Sequence, residues 1–192
     1  CDILLELIGD EKGISYDLIK KAIINKINVV TANKALLANH GNELFELAEQ
    51  NNVKICFEAA VAGGIPIINI LKNNIFLNKI KNISGILNGT TNFILSKMEK
   101  NNLSFEEALK LATDKGYAET DPTNDIEGND AAYKITLLSS LCYGIKINHS
   151  YSKFSGIKNI KKQDIKYSHN LGYKIKLISE SSITENEVYI NT

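Results

Sequence analysis

Asn28-Val29-Val30-Thr31-Ala32-Asn33-Lys34-Ala35-Leu36 is the stretch on which the fold turns. Residues 28–31 form a short buried strand, and from Ala35 the spacing becomes helical. Upstream, Asp2 to Ile8 is a β-rich run ending at Gly9, and Tyr16 to Ile24 has helical spacing after a Ser15 cap. Downstream, the helical stretch is interrupted at Gly41 and resumes with Leu44, Phe45, Leu47 and Ala48 on one side. Val53 to Phe57 is the next strand. This β-α-β-α-β order predicts a parallel sheet covered by helices.

From Glu58 the texture changes. Ala62-Gly63-Gly64-Ile65-Pro66 is a small-residue loop that launches a helix, with Pro66 in its first turn. Lys79 to Leu87 reads as a strand and Thr90 to Lys100 as a helix. Ser104-Phe105-Glu106-Glu107 is a capping box for an amphipathic helix that carries Phe105, Ala108, Leu109 and Ala112 and ends at Gly116. A polar loop, Tyr117 to Asp125, precedes a longer helix reaching about Tyr143. The last fifty residues hold a helix near Asp164 to Leu171, a strand at Tyr173 to Ser179, and a polar tail.

The composition narrows the function. The 192 residues carry formal net charge +0, which gives no electrostatic basis for binding nucleic acid or an acidic membrane surface. All the positive charge is lysine, and the wealth of Ile, Asn and Lys is what an AT-rich genome produces. No apolar run approaches the ~18 residues of a membrane span. Cys1, Cys56 and Cys142 lack CxxC spacing and, with no secretory signal, are expected to be reduced thiols in a cytoplasmic protein.

Chemistry-bearing residues concentrate between Tyr117 and Lys134. Glu119, Asp121, Asp125, Glu127 and Asp130 fall within twelve residues, and Lys134 follows. Asp125 is a candidate N-cap for the next helix. Asp130 and Lys134 share a face one turn apart, beside an apolar stripe of Ala131, Ile135, Leu138 and Cys142. By itself the pattern also describes a capped surface helix with an ion pair worth about 0.3–0.5 kcal/mol. The placement argues further, since a lysine beside a core stripe, managed by a carboxylate, suits a general acid/base. A loop of acids without basic partners suits an ammonium group.

The run Gly116-Tyr117-Ala118-Glu119, Asp121-Pro122, Asp125-Ile126-Glu127-Gly128 and Asp130-Ala131-Ala132 to Lys134 resembles the signature of the homoserine dehydrogenases. Three further blocks resemble that family, in its order: Thr31-Ala32-Asn33-Lys34-Ala35-Leu36, Glu58 through Pro66, and Gly85-Ile86-Leu87-Asn88-Gly89-Thr90-Thr91-Asn92. The resemblance runs from about residue 2 to residue 179 and looks closer to the monofunctional type than to aspartokinase fusions.

The resemblance implies an NAD(P)-dependent oxidoreductase interconverting aspartate semialdehyde and homoserine in threonine and methionine biosynthesis, homodimeric at full length. It implies Lys134 as general acid/base, held by Asp130, with Glu119 and Asp125 on the substrate's amino group and substrate near Thr90. Lys34 would approach the nicotinamide end of the cofactor, and Gly116 and Gly9 would line it. Read alone, Gly116 is a helix C-cap, Thr90 a helix cap and Lys34 an exposed lysine. Glu58, Val61, Gly63 and Ile65 match positions that hold a monovalent cation such as sodium; their ordinary reading is a glycine-rich hinge. His40, His149 and His169 have no metal spacing.

The implied architecture is α/β: the second half of a Rossmann-like nucleotide-binding domain at residues 1–57, then an α+β substrate domain with a mixed sheet at residues 58–192. None of the twelve glycines makes the G-x-G-x-x-G turn that cradles a pyrophosphate. That turn, and the residues separating NAD from NADP, are expected upstream, and a final return segment downstream. The rival reading is an inactive remnant or interaction module retaining the substrate-domain fold. An aspartate semialdehyde dehydrogenase would need a nucleophilic cysteine, and Cys56 in a strand and Cys142 on a core stripe are poorly placed for that.

Overall fold

The computed structural model describes residues 1–10, 13–74, 78–185 and 187–192. They form two compact units, one of Cys1–Ile83, Tyr133–Ser152 and Ser181–Ile190, the other of Ser84–Ala132, Lys153–Glu180 and Asn191–Thr192.

In the first unit, strands β1 (Ile3–Glu6), β2 (Asn28–Thr31) and β3 (Ile55–Cys56) form a parallel sheet in that order. Glu6 stands opposite Thr31 and Val30 opposite Cys56, so the carboxyl ends of the strands lie side by side. Helices α1 (Ile14–Ile24) and α2 (Lys34–Gln50) supply Ile19, Ile23, Leu36 and Leu44 to a core with Val29 and Ile55. Each of these apolar side chains contributes about 1.5–3 kcal/mol by leaving water.

Three expectations change here. Ser15 does not cap α1: Gly13, at φ 82, takes that position without a side-chain bond. Ser15 sits in the first turn, where its N–H donates to Asp10 Oδ1 at 3.2 Å and its hydroxyl turns inward. Gly41 does not interrupt α2, because a Cβ there would come 2.7 Å from Ile147 Cδ1 and the glycine makes room for that side chain. Asn42 then bonds both the N–H and the carbonyl of Ile147. Strand β3 is shorter than Val53–Phe57 because Asn52 is left-handed at φ 56 and the Val53 N–H donates back to Ala48 at the end of α2.

Helices α3 (Glu58–Val61) and α4 (Ile67–Asn74) follow. Pro66 lies just before α4, its carbonyl accepting the Ile70 N–H. A second sheet has the order β4 (Asn82–Gly85), β5 (Ser179–Ile183), β6 (Val188–Asn191). An isolated parallel bridge joins Lys153 to Asn191. The predicted strand at Tyr173–Ser179 is corrected, since β5 begins only at Ser179. Ile175 and Leu177 pack on the core of the second unit, and Lys176 bonds Asn92 and Ser96 of the next helix. The residues expected to be a polar tail form β6.

That helix, α5 (Gly89–Asn101), packs with α6 (Phe105–Asp114) around Ile94, Leu95, Met98, Phe105, Ala108 and Ala112. The Ser104–Glu107 capping box is present, and α6 closes on Gly116 at φ 73, with the Tyr117 N–H donating to Ala112. Next come α7 (Thr123–Ile126), α8 (Asn129–Tyr143) and α9 (Lys162–Asn170). Ala131, Ile135, Leu138 and Cys142 on α8 are all buried, as their spacing predicts.

Candidate active site

In the second unit the site is organised by Asn88, the N-cap of α5. Its Oδ1 accepts from the Thr91 N–H at 2.8 Å and the Thr91 hydroxyl at 2.9 Å. Its amide nitrogen donates to Asp125 Oδ1 at 2.7 Å and to Asp130 Oδ2 at 2.9 Å. Two acids five residues apart in sequence therefore converge on one amide. Asp125 is not the N-cap of the long helix; it belongs to the separate short helix α7, and the turn to α8 passes through Gly128 at φ 89. Asp130 is buried in the first turn of α8, where the helix dipole favours a negative charge.

Glu119 is exposed on the loop before α7. Asp121 spends its carboxylate on Thr123, and the Thr123 hydroxyl and N–H hold its carboxyl below the usual range. The acid loop is not wholly without cations, since Lys158 lies 3.8 Å from Glu127 in an exposed pair. Thr90 is buried and does not cap α5: its hydroxyl donates at 2.7 Å to the Tyr117 carbonyl, just beyond Gly116. Tyr117 also stacks on Phe93, with ring centroids 4.3 Å apart. Lys134 is half-buried on α8, one turn after Asp130, in the part of that helix that belongs to the first unit.

In the first unit, Gly9 and Lys34 follow the carboxyl ends of β1 and β2, where parallel sheets bind ligands. Gly9 is exposed at φ 85 with open space where a Cβ would stand, so its backbone is accessible to a partner. Glu6, not singled out by its sequence, connects this ground. Its carboxylate is buried and accepts from the Ile8 N–H at 2.9 Å, the Gly9 N–H at 3.3 Å, the Ser15 hydroxyl at 2.9 Å and the Thr31 hydroxyl at 2.6 Å. Burial pushes this carboxyl up, and the hydrogen bonds from Thr31, Ser15, Gly9 and Ile8 together outweigh it, leaving it below its ordinary value. Thr31 Oγ1 also accepts from the Asn33 N–H, and Asn33 caps α2, which Lys34 opens. The turn at Gly9 and the helix at Lys34 thus hang on one carboxylate. An open, positive-φ glycine at the carboxyl end of a parallel strand leaves room for a dinucleotide's approach.

Glu58 uses both carboxylate oxygens on backbone N–H groups at the start of α4, Ile68 at 2.7 Å and Asn69 at 3.0 Å. Val61 is buried, while Gly63 and Ile65 are exposed. Among the described residues no group of three or more His, Cys, Asp or Glu side chains could hold a metal ion, which leaves backbone carbonyls as the donors to consider here. Burial pushes the Cys142 thiol up to about 11, far from the thiolate a nucleophile needs. Cys56 is exposed on β3.

Residues 66–192 match the family described as homoserine dehydrogenase, and residues 1–58 match its NAD binding domain. The chain belongs to the homoserine dehydrogenase family. It is 52% identical over 177 residues to the homoserine dehydrogenase of Neisseria gonorrhoeae, covering 92% of this chain and 40% of that protein. With the Pseudomonas aeruginosa homoserine dehydrogenase it shares 45% identity over 184 residues, covering 96% of this chain and 42% of the relative. The crystal structure of a homoserine dehydrogenase from Thiobacillus denitrificans superposes with TM-score 0.95 at 45% identity, covering 99% of this chain and 44% of that one. The chain thus spans about two-fifths of the length of the relatives it matches. Membership confirms the α/β architecture and makes NAD(P) the cofactor of the family domain that residues 1–58 match. No helix among the described residues is long and apolar enough to cross a membrane.

Proposed function

We propose that this chain provides the catalytic and substrate-binding part of an NAD(P)-dependent homoserine dehydrogenase. Residues 1–57 serve as part of the nucleotide domain and residues 58–192 as the catalytic domain. The observation that carries this reading is the Asn88 amide joining Asp125 to Asp130, one helical turn ahead of Lys134. An inactive remnant has no need of two carboxylates converging on one buried amide.

Bound NAD(P) supplies the hydride for reduction of the aldehyde and accepts it in the reverse direction. The chain's own residues manage charge and protons. Lys134 delivers a proton to the carbonyl oxygen of aspartate semialdehyde as it becomes the hydroxyl of homoserine, and removes it on the return. Asp130 holds the Lys134 ammonium by charge and by its place one turn earlier on the same face. Glu119 and Asp125 bind the substrate ammonium, Glu119 from an exposed position that lets substrate enter. Thr90 lines the substrate site while its hydroxyl fixes the Tyr117 carbonyl beside Gly116.

Lys34 approaches the nicotinamide end of the cofactor, and Gly9 and Gly116 are each cofactor contacts. Glu58 with the carbonyls of Val61, Gly63 and Ile65 forms a site for a monovalent cation such as sodium, oxygen donors suiting a hard ion. The enzyme works in the cytoplasm as a homodimer at full length, with NADP or NAD. The test is homoserine-dependent reduction of NADP and of NAD by the full-length protein. Turnover with homoserine and none with threonine supports the reading. Nucleotide binding without any homoserine-dependent reduction sinks it.

A further inference from the structure

Asn88 carries more than the cap of α5. An Asn side chain offers two donors and two acceptor lone pairs, and here all four are used, two on Thr91 and two on the carboxylates. The orientation of the amide is therefore decided by chemistry. A flip would turn its oxygen against two carboxylates and its N–H groups against the Thr91 N–H. Asp125 lies 37 residues along the chain from Asn88 and Asp130 lies 42. One neutral amide thus donates to two like charges that are distant from it in sequence.

We propose that Asn88 is a positioning residue of the homoserine site, whose amide sets the spacing and orientation of Asp125 and Asp130. This rests on the reading of Asp125 as an ammonium ligand and Asp130 as the partner of Lys134. The two donor hydrogens fix which oxygen of each carboxylate is occupied. The remaining oxygen of Asp125 is left for substrate, and that of Asp130 for its neighbours on α8. The Oδ1 end, through Thr91, anchors this arrangement to the start of α5, the helix that also carries Thr90.

Asn88→Asp separates the two roles of the residue. Asp is as good an N-cap as Asn, so Oδ1 keeps its bonds to Thr91. The amide donors are lost, and a third carboxylate faces Asp125 and Asp130. In the full-length enzyme, Asn88→Asp is expected to lower kcat/KM for homoserine about 10²-fold, the usual consequence of misplacing reacting groups by ~1 Å. The nucleotide KM should be nearly unchanged. Melting of the 192-residue chain gives a readout independent of turnover. The deficit of Asn88→Asp against wild type should shrink as the pH is lowered and the carboxylates protonate. Wild-type kcat/KM in Asn88→Asp, with a melting temperature tracking wild type at every pH, would show that Asn88 only caps a helix. If wild type itself fails to oxidise homoserine, the proposed function falls. The pH-dependent melting still decides whether Asn88 holds the two acids together.

Discussion

Gly156→Ala should disable the site without touching any of its polar groups. A Cβ at Gly156 would stand 1.9 Å from the Ile126 carbonyl oxygen and 2.4 Å from Glu127 Cα, both backbone atoms that cannot swing aside. Real Cβ contacts stay above 3.0 Å, so the segments must part by about 1 Å. Gly128 meets the same segment from the other side, where its own Cβ would lie 3.2 Å from the Ser155 carbonyl oxygen. The displaced residues lie between Asp125 and Asp130, and the Ile157 N–H bond to Ile126, 2.8 Å, is strained with them. Overpacking costs about 1–3 kcal/mol, and the weakened hydrogen bond adds about 1 kcal/mol. At about 2–4 °C per kcal/mol for a protein of this size, melting should fall by roughly 5–15 °C. A shift of ~1 Å between the carboxylates should cost about 10²-fold in kcat/KM for homoserine. Circular dichroism melts of the 192-residue chain and steady-state kinetics on the full-length enzyme measure the two effects. Gly89→Ala is the control for stability, since nothing lies within 4 Å of its Cβ position. Wild-type melting and kinetics in Gly156→Ala would refute the claim that this close approach fixes the acid loop.

Glu6 gives a pH dependence of defined sign. Its folded carboxyl is held below the ordinary value of 4.5, so its stabilisation is complete above that pH and is lost as pH falls through the lower folded value. Glu6→Gln should destabilise by about 1.5–3 kcal/mol at neutral pH and flatten the acid limb of the melting curve; an unchanged limb would remove Glu6 as its source. Glu119→Gln should raise KM for homoserine more than KM for the nucleotide, because it removes the exposed charge proposed to meet the substrate ammonium. A larger effect on the nucleotide would move Glu119 out of the substrate site. The 192-residue chain alone, having no G-x-G-x-x-G, should show no measurable homoserine oxidation with NAD or NADP, and robust turnover would mean that its cofactor site is complete.

The β-α-β-α-β order was legible because β2 and its neighbours are apolar runs with clear helical spacing between them. Boundaries were not, where a tertiary contact overrides local preference. Gly41 looks like a break until Ile147 occupies its missing side chain. Strand β5 is Ser179-Glu180-Ser181-Ser182-Ile183, poor in the residues that favour strands, with Ser179 and Ser181 turned inward, so no alternation of apolar residues announces it. Within the candidate site, the Asp130–Lys134 spacing is local and readable. Asn88 is not, since its partners are brought to it only by folding. Glu6 could have been noticed as a lone acid inside an apolar strand, but its partners Ser15 and Thr31 are likewise distant in sequence.

The central claim, that Lys134 moves the proton at the substrate oxygen, is tested most directly by Lys134→Ala in the full-length enzyme. General acid/base groups contribute about 10²–10⁴-fold, so kcat with aspartate semialdehyde should fall by that factor while melting temperature and nucleotide affinity hold. An unchanged kcat would contradict the assignment and take Lys134 out of the mechanism.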